Sequence, residues 1–228
     1  MLVKTYGCAV YGIEAIPITV ETNIGRGINF YLVGLPDSAV KESHQRIKAA
    51  FANNDYKFPG KEITINMAPA DIRKEGSAYD LTIAVGILSA SGTITSSTVS
   101  DYIIMGELSL DGSLRGIKGA LPMAIKARNL GYKGVIVPKE NAQEAAIVNN
   151  IEVFGIEKLT ESDSDVESLL ILKDSDIEIL VYKGGGPKGA AFPKAMEVLI
   201  EQGNFKLANI KEVIGTSAGS IFSAFLAF

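Results

Sequence analysis

Asn66-Met-Ala-Pro-Ala-Asp-Ile-Arg-Lys-Glu-Gly-Ser-Ala-Tyr-Asp-Leu81 is the stretch whose reading decides the fold. It begins at the end of a run, Glu62 to Asn66, in which polar and apolar side chains alternate with the period of a half-buried strand. Pro69 cannot donate to a sheet ladder, and Gly76 closes a polar stretch, so residues 68–76 read as a loop. The run from Asp80 to Leu88 is apolar on every side, the pattern of a helix buried all round. A strand, a loop and a buried helix in succession are a building unit of a layered α/β fold.

Outward from this stretch, strands and helices alternate. Towards the N-terminus the sequence predicts strands over Tyr6–Val10, Ile16–Glu21 and Ile28–Val33. Asn23-Ile-Gly-Arg-Gly27 would join the last two as a hairpin. Leu35-Pro-Asp-Ser38 opens a helix with Asp37 or Ser38 as N-cap, running to about Asn53. Towards the C-terminus come a strand over Tyr102–Leu110, a tight turn at Asp111-Gly112 and a helix over Leu121–Leu130 closed by Gly131. Then follow a strand over Gly134–Val137, a short helix through Asn149, a strand over Ile151–Phe154 and an acidic helix over Leu159–Leu170. Lys173-Asp-Ser-Asp176 is a polar break and the predicted linker between a first domain, residues 1–172, and a second, residues 177–228.

The chain has 228 residues, 47% of them hydrophobic and 21% charged, with a formal net charge of −4. That composition supports a packed core and lacks the basic footprint of a nucleic-acid binder, so direct nucleic-acid binding is not expected. Cys8 and His44 are the only cysteine and histidine, which excludes an internal disulfide and argues against a Cys/His zinc site; no cofactor is expected. His44 reads as a solvated histidine on a helix face. The N-terminus lacks the apolar stretch of a secretory signal, and no window is long enough to span a membrane, so a cytoplasmic location is expected. The apolar run Ile221–Phe228 reads as a helix cut off by the end of the chain.

The second part opens a new pattern: a strand over Ile177–Tyr182, a glycine-rich turn, a helix over Ala190–Gln202, a strand over Ile210–Ile214, a second turn and a helix. This is the start of a parallel α/β sheet. The second turn, Gly215-Thr-Ser-Ala-Gly219, has the form of a nucleophile elbow. Gly215 and Gly219 relieve crowding there, and Ser217 is the candidate nucleophile. The first turn, Gly184-Gly-Gly-Pro-Lys-Gly189, suits an oxyanion hole, with amides of Gly184, Gly185 and Gly186 as donors and Lys188 and Gly189 shaping the turn. The same glycines also satisfy a dinucleotide-binding fingerprint, and the second motif is also compatible with an ordinary turn.

Two family resemblances rest on these residues. Tyr11-Gly-Ile-Glu-Ala15, Val33-Gly-Leu-Pro-Asp37, the stretch from Asn66 to Leu81, Met105-Gly-Glu-Leu-Ser-Leu-Asp-Gly112 and Val137-Pro-Lys-Glu-Asn-Ala-Gln-Glu-Ala145 make residues 1–172 resemble the N-terminal domain of the competence protein ComM family of Mg-chelatase-like AAA+ proteins. The resemblance implies an α+β domain of the Lon-protease-like, ribosomal S5 domain 2 type. Lon proteases use a serine-lysine dyad; the resemblance places its positions on Ala78 and Met123, with Ser77 and Lys118 one step away or out of register. Neither alanine nor methionine can move a proton. Such a domain implies an AAA+ ATPase as partner; Arg73, Lys74, Tyr79 and Asp80 read first as a loop anchored by ion pairs and second as contact residues for that partner. In the family the motor works as a DNA helicase and needs a G-x-x-x-x-G-K-[ST] loop, which this chain lacks.

Residues 177–228 resemble the opening of a patatin-like phospholipase, a truncated parallel α/β segment, through the two glycine motifs. That resemblance implies hydrolysis of a lipid or other acyl ester by Ser217, with a partner aspartate that lies downstream in the family and is not in this chain. About fifty residues of open sheet rarely fold alone. Three readings follow. The chain is an incomplete lipid acyl hydrolase with a non-catalytic N-terminal domain, or an interaction domain of a Mg-chelatase-like ATPase, or a truncated or mis-joined reading frame.

Overall fold

A computed structural model describes residues 1–95 and 98–159, together with the backbone of two strands, Ile179–Lys183 and Glu212–Thr216. The chain divides into two compact units, Met1–Ile171 and Leu172–Phe228. The first is built on a seven-stranded sheet. In chain order its strands are β1 (Leu2–Tyr11), β2 (Glu14–Gly25), β3 (Phe30–Val33), β4 (Glu62–Ala68), β5 (Tyr102–Ile104), β8 (Gly134–Pro138) and β9 (Glu152–Ile156). Across the sheet the order is β3-β4-β2-β1-β5-β8-β9. Every strand but β2 runs the same way, so six strands end on one edge of the sheet.

The hairpin joins β1 to β2. Tyr11 pairs with Glu14 across a two-residue turn, and Gly12 takes the positive φ, +61°, that such a turn needs. The expected hairpin at Asn23–Gly27 does not form: β4 lies between β2 and β3. The reason is burial. Ile63, Ile65 and Met67 of β4 are fully buried opposite Ile24, Thr22 and Val20, whereas β3 alternates half-buried and exposed residues and takes the edge.

The predicted helix over 38–53 is two helices, α1 (Ser38–Lys41) and α2 (Ser43–Ala52), with Glu42 serving as the C-cap of one and the N-cap of the next. Asp37 caps α1, its Oδ1 accepting from Val40 N at 2.8 Å. The buried helix is α3 (Asp80–Ser91), in which eleven of twelve residues are buried. The expected strand over 102–110 breaks after Ile104. The chain leaves the sheet and forms a small hairpin, β6 (Glu107–Leu108) with β7 (Leu114–Arg115), around the turn at Asp111-Gly112. The remaining helices are α4 (Ala120–Asn129) and α5 (Lys139–Ala145). Most of the expected helix over 159–170 lies outside the described residues.

The sheet carries helices on both faces. Successive β1 residues point to opposite sides. A side chain at Gly7 would meet Thr82 and Tyr79, placing α3 on that face, while Val10 packs against Gly119 at the start of α4 on the other. Beyond α4 that second face turns polar: Glu21 of β2 pairs with Lys4 at 3.2 Å and accepts from Asn66 at 3.0 Å. In the second unit the two described strands, β10 (Ile179–Lys183) and β11 (Glu212–Thr216), pair in parallel.

Candidate functional site

Loops gather where the six parallel strands end, the edge at which α/β folds usually place their sites. One of them is the loop from Pro69 to Tyr79, between β4 and α3. It is sealed against the turn after β3. Lys74 N donates to Leu35 O at 3.2 Å, and Asp37 N donates to Lys74 O at 2.9 Å. The Asp37 carboxylate also accepts from Gly76 N at 3.0 Å. Tyr11, at the end of β1, adds a third strap, its hydroxyl donating to Arg73 O at 2.8 Å.

This sealing sorts the side chains. Asp71, Arg73 and Glu75 are exposed, with Arg73 and Glu75 in a solvent-facing pair at 3.2 Å. Lys74 between them is fully buried. Its ammonium donates to Gly34 O at 2.7 Å and to Pro69 O. Burial lowers the Lys74 pKa, and the nearby charge of Asp71 opposes that. Gly34 has a φ of +100°, and a Cβ there would sit 2.1 Å from Met67 O, so the turn admits no other residue. Leu35 follows with a φ of +61°, which is strained for a branched side chain, yet that side chain is 55% exposed.

Asp80 opens α3 and is fully buried. Arg46 of α2 grips it with two bonds, Nε at 2.6 Å and Nη2 at 2.9 Å, and Leu108 N adds a third at 3.2 Å. Burial pushes the Asp80 carboxyl up against the pull of Arg46, and the hydrogen bond to Asp80 raises the Arg46 pKa. The pair ties α2, α3 and the β6–β7 hairpin together. Beside it the Ser77 hydroxyl donates to the Glu107 carboxylate, which faces Arg115 at 3.9 Å.

Of the four contact residues suggested by sequence, then, Arg73 alone is exposed. Lys74, Tyr79 and Asp80 are anchors. Sequence reading missed Arg46 and Leu35. Arg46 looks like an ordinary helix-face cation, whereas the residue before Pro36 is a known point of backbone restriction and could have drawn attention to Leu35. Ala78 sits in the turn before α3, its carbonyl accepting from Gly106 N at 2.7 Å, and Met123 is buried in α4. His44 is not a solvated face residue. It is half-buried and stacks on Phe30 with centroids 4.2 Å apart, with Phe58 at 5.5 Å. Among the described residues no group of acidic, cysteine or histidine side chains could hold a metal, and no helix is long and apolar enough to cross a membrane.

The family model described as subunit ChlI of Mg-chelatase matches residues 20–141, which include β4, the sealed loop, α3 and the β6–β7 hairpin. The chain belongs to the ChlI family. The match takes in more than half of the chain. The uncharacterized protein YifB of Escherichia coli is 45% identical over 62% of this chain and 28% of its own length. Competence protein ComM of Haemophilus influenzae is 40% identical over 67% of this chain and 30% of its own. A Lon protease of Mycoplasma mycoides is 28% identical over 66% of this chain and 19% of its own. The chain thus spans under a third of the length of these relatives. The mostly parallel α/β sheet of the first unit agrees with a ChlI- and Lon-like domain.

The expectation of a patatin-like lipid acyl hydrolase is overturned. The family match and the ComM and YifB relatives point to a ChlI-type domain, and the comparisons give a phospholipase segment no support. The physical reason for the misreading is plain: short glycine patterns after a strand suit any β-turn-α unit, whatever chemistry it carries. Gly215 lies within β11. Ser217, Gly184, Gly185, Gly186, Lys188, Gly189 and Gly219 lie outside the described residues.

Proposed function

We propose that the ChlI-family domain of this chain is an interaction module for a Mg-chelatase-like ATPase, engaging it through the loops at the carboxyl ends of β1, β3 and β4. One observation carries this reading. The turn after β3 holds Leu35 in a strained conformation, yet leaves its side chain 55% exposed, next to the sealed loop that displays Asp71, Arg73 and Glu75. Backbone strain with no packing gain of its own is characteristic of binding loops. Tyr11, 48% exposed and bonded to the same loop, extends the surface. The choice of an ATPase as the partner class rests on the sequence resemblance to Mg-chelatase-like AAA+ proteins of the ComM family, and contact with DNA would fall to that partner.

The test is a pull-down with a ComM-type ATPase in its nucleotide-free, ADP-bound and ATP-bound states. The wild-type chain should be retained in at least one state. Leu35→Asp combined with Arg73→Glu, both on the surface, should reduce retention by about tenfold, the effect of losing roughly 1.4 kcal/mol of binding. Absence of retention in every state would refute the reading.

A further inference from the structure

We propose that Lys74 is a charge-dependent latch: its ammonium, gripping the carbonyls of Gly34 and Pro69, joins the 34–37 turn and the 69–76 loop into one body, and its removal frees the loop while the sheet stays folded. Three observations converge on this. The side chain is fully buried, although it springs from a loop whose neighbours Arg73 and Glu75 are exposed. Its two acceptors lie just past the ends of β3 and β4, on the two segments that must be held together. Its own backbone adds two more bonds across the same junction, donating to Leu35 O and accepting from Asp37 N in an isolated bridge.

Among the described residues no carboxylate lies within ion-pair distance of the ammonium, so neutral carbonyl dipoles hold the charge. An apolar side chain would fill the space at lower desolvation cost. What the lysine supplies instead is a set of directed donors, and an ammonium can serve several carbonyls at once. Asp37 and Tyr11 reach only the backbone of the loop. The ammonium is the bond that runs inward, and it decides whether the loop has a fixed shape or many.

Hydrogen exchange on the full chain tests the latch. In Lys74→Met the amides of residues 70–76 should exchange at least tenfold faster than in the wild type, while those of β1, β2 and β4 keep their protection. Unchanged exchange in the loop, or equal acceleration across the sheet, would overturn the proposal. If Lys74→Met fails to fold, nitrogen NMR of the wild-type lysines decides instead. A slowly exchanging ammonium resonance that disappears in Lys74→Arg is expected, and its absence sinks the latch. Neither measurement involves the ATPase, so a failed pull-down and a failed latch are separate results.

Discussion

At the scale of single residues, the first unit spends its buried charge on joining elements. Asp80 has three donors around one carboxylate, two of them from Arg46. Removing Arg46 would leave the fully buried Asp80 carboxylate without its counter-charge. Arg46→Met should therefore cost about 3 kcal/mol, read as a lower urea midpoint, and Arg46→Met with Asp80→Leu should cost less than that single change. A fully additive double variant would show that the two do not act as a pair. His44 gives a pH signature. Burial, with help from the positive charge of Lys48, holds its pKa below the ordinary 6.5. As pH falls through that value the unfolded chain takes up a proton that the folded chain refuses, so stability drops towards the lower folded pKa. The urea midpoint should fall between pH 7.5 and 5.5, and His44→Phe should flatten that part of the dependence. An NMR titration of His44 at or above 6.5 would contradict this.

At the scale of elements, the sequence was legible wherever burial was uniform. The apolar run of α3, the capped start of α1 at Asp37 and the β4 alternation all lie where the spacing put them. It misled where two arrangements satisfy the same local pattern. Asn23–Gly27 has turn chemistry whether β2 and β3 pair with each other or flank β4, and only the apolar face of β4 decides. The strand over 102–110 ends early because the chain must leave the sheet to bring Leu108 N to Asp80. Packing between elements also reverses a local rule. A glycine inside a helix is ordinarily worth replacing by alanine, for roughly 1 kcal/mol. Gly86 of α3 is an exception, because a Cβ there would sit 2.6 Å from Thr22 Oγ1 of β2, itself fully buried. Gly86→Ala should destabilise by about 1–3 kcal/mol in urea unfolding. A gain would mean that α3 does not seat on β1 and β2 as described.

At the scale of the whole molecule, Cys8 reports on the integrity of the first unit. It lies in β1 at the centre of the sheet, 1% exposed, and burial pushes its thiol pKa up to about 12. The thiolate is the reactive form. The native chain should resist DTNB at pH 8, and the labelling rate should rise with urea in step with global unfolding; rapid native labelling would place Cys8 elsewhere. By itself the sequence determined the layered α/β class of the first unit, because hydrophobic period is a local property, and its motifs carried the Mg-chelatase-like, ComM-type resemblance. It misjudged the second part, where two short glycine motifs stood in for a whole site. Only the tertiary structure decided that β4 separates β2 from β3, and that Lys74, Tyr79 and Asp80 face inward while Leu35 and Arg73 face out. Those outcomes depend on which segments compete for the same buried space, and that competition takes place between residues distant along the chain.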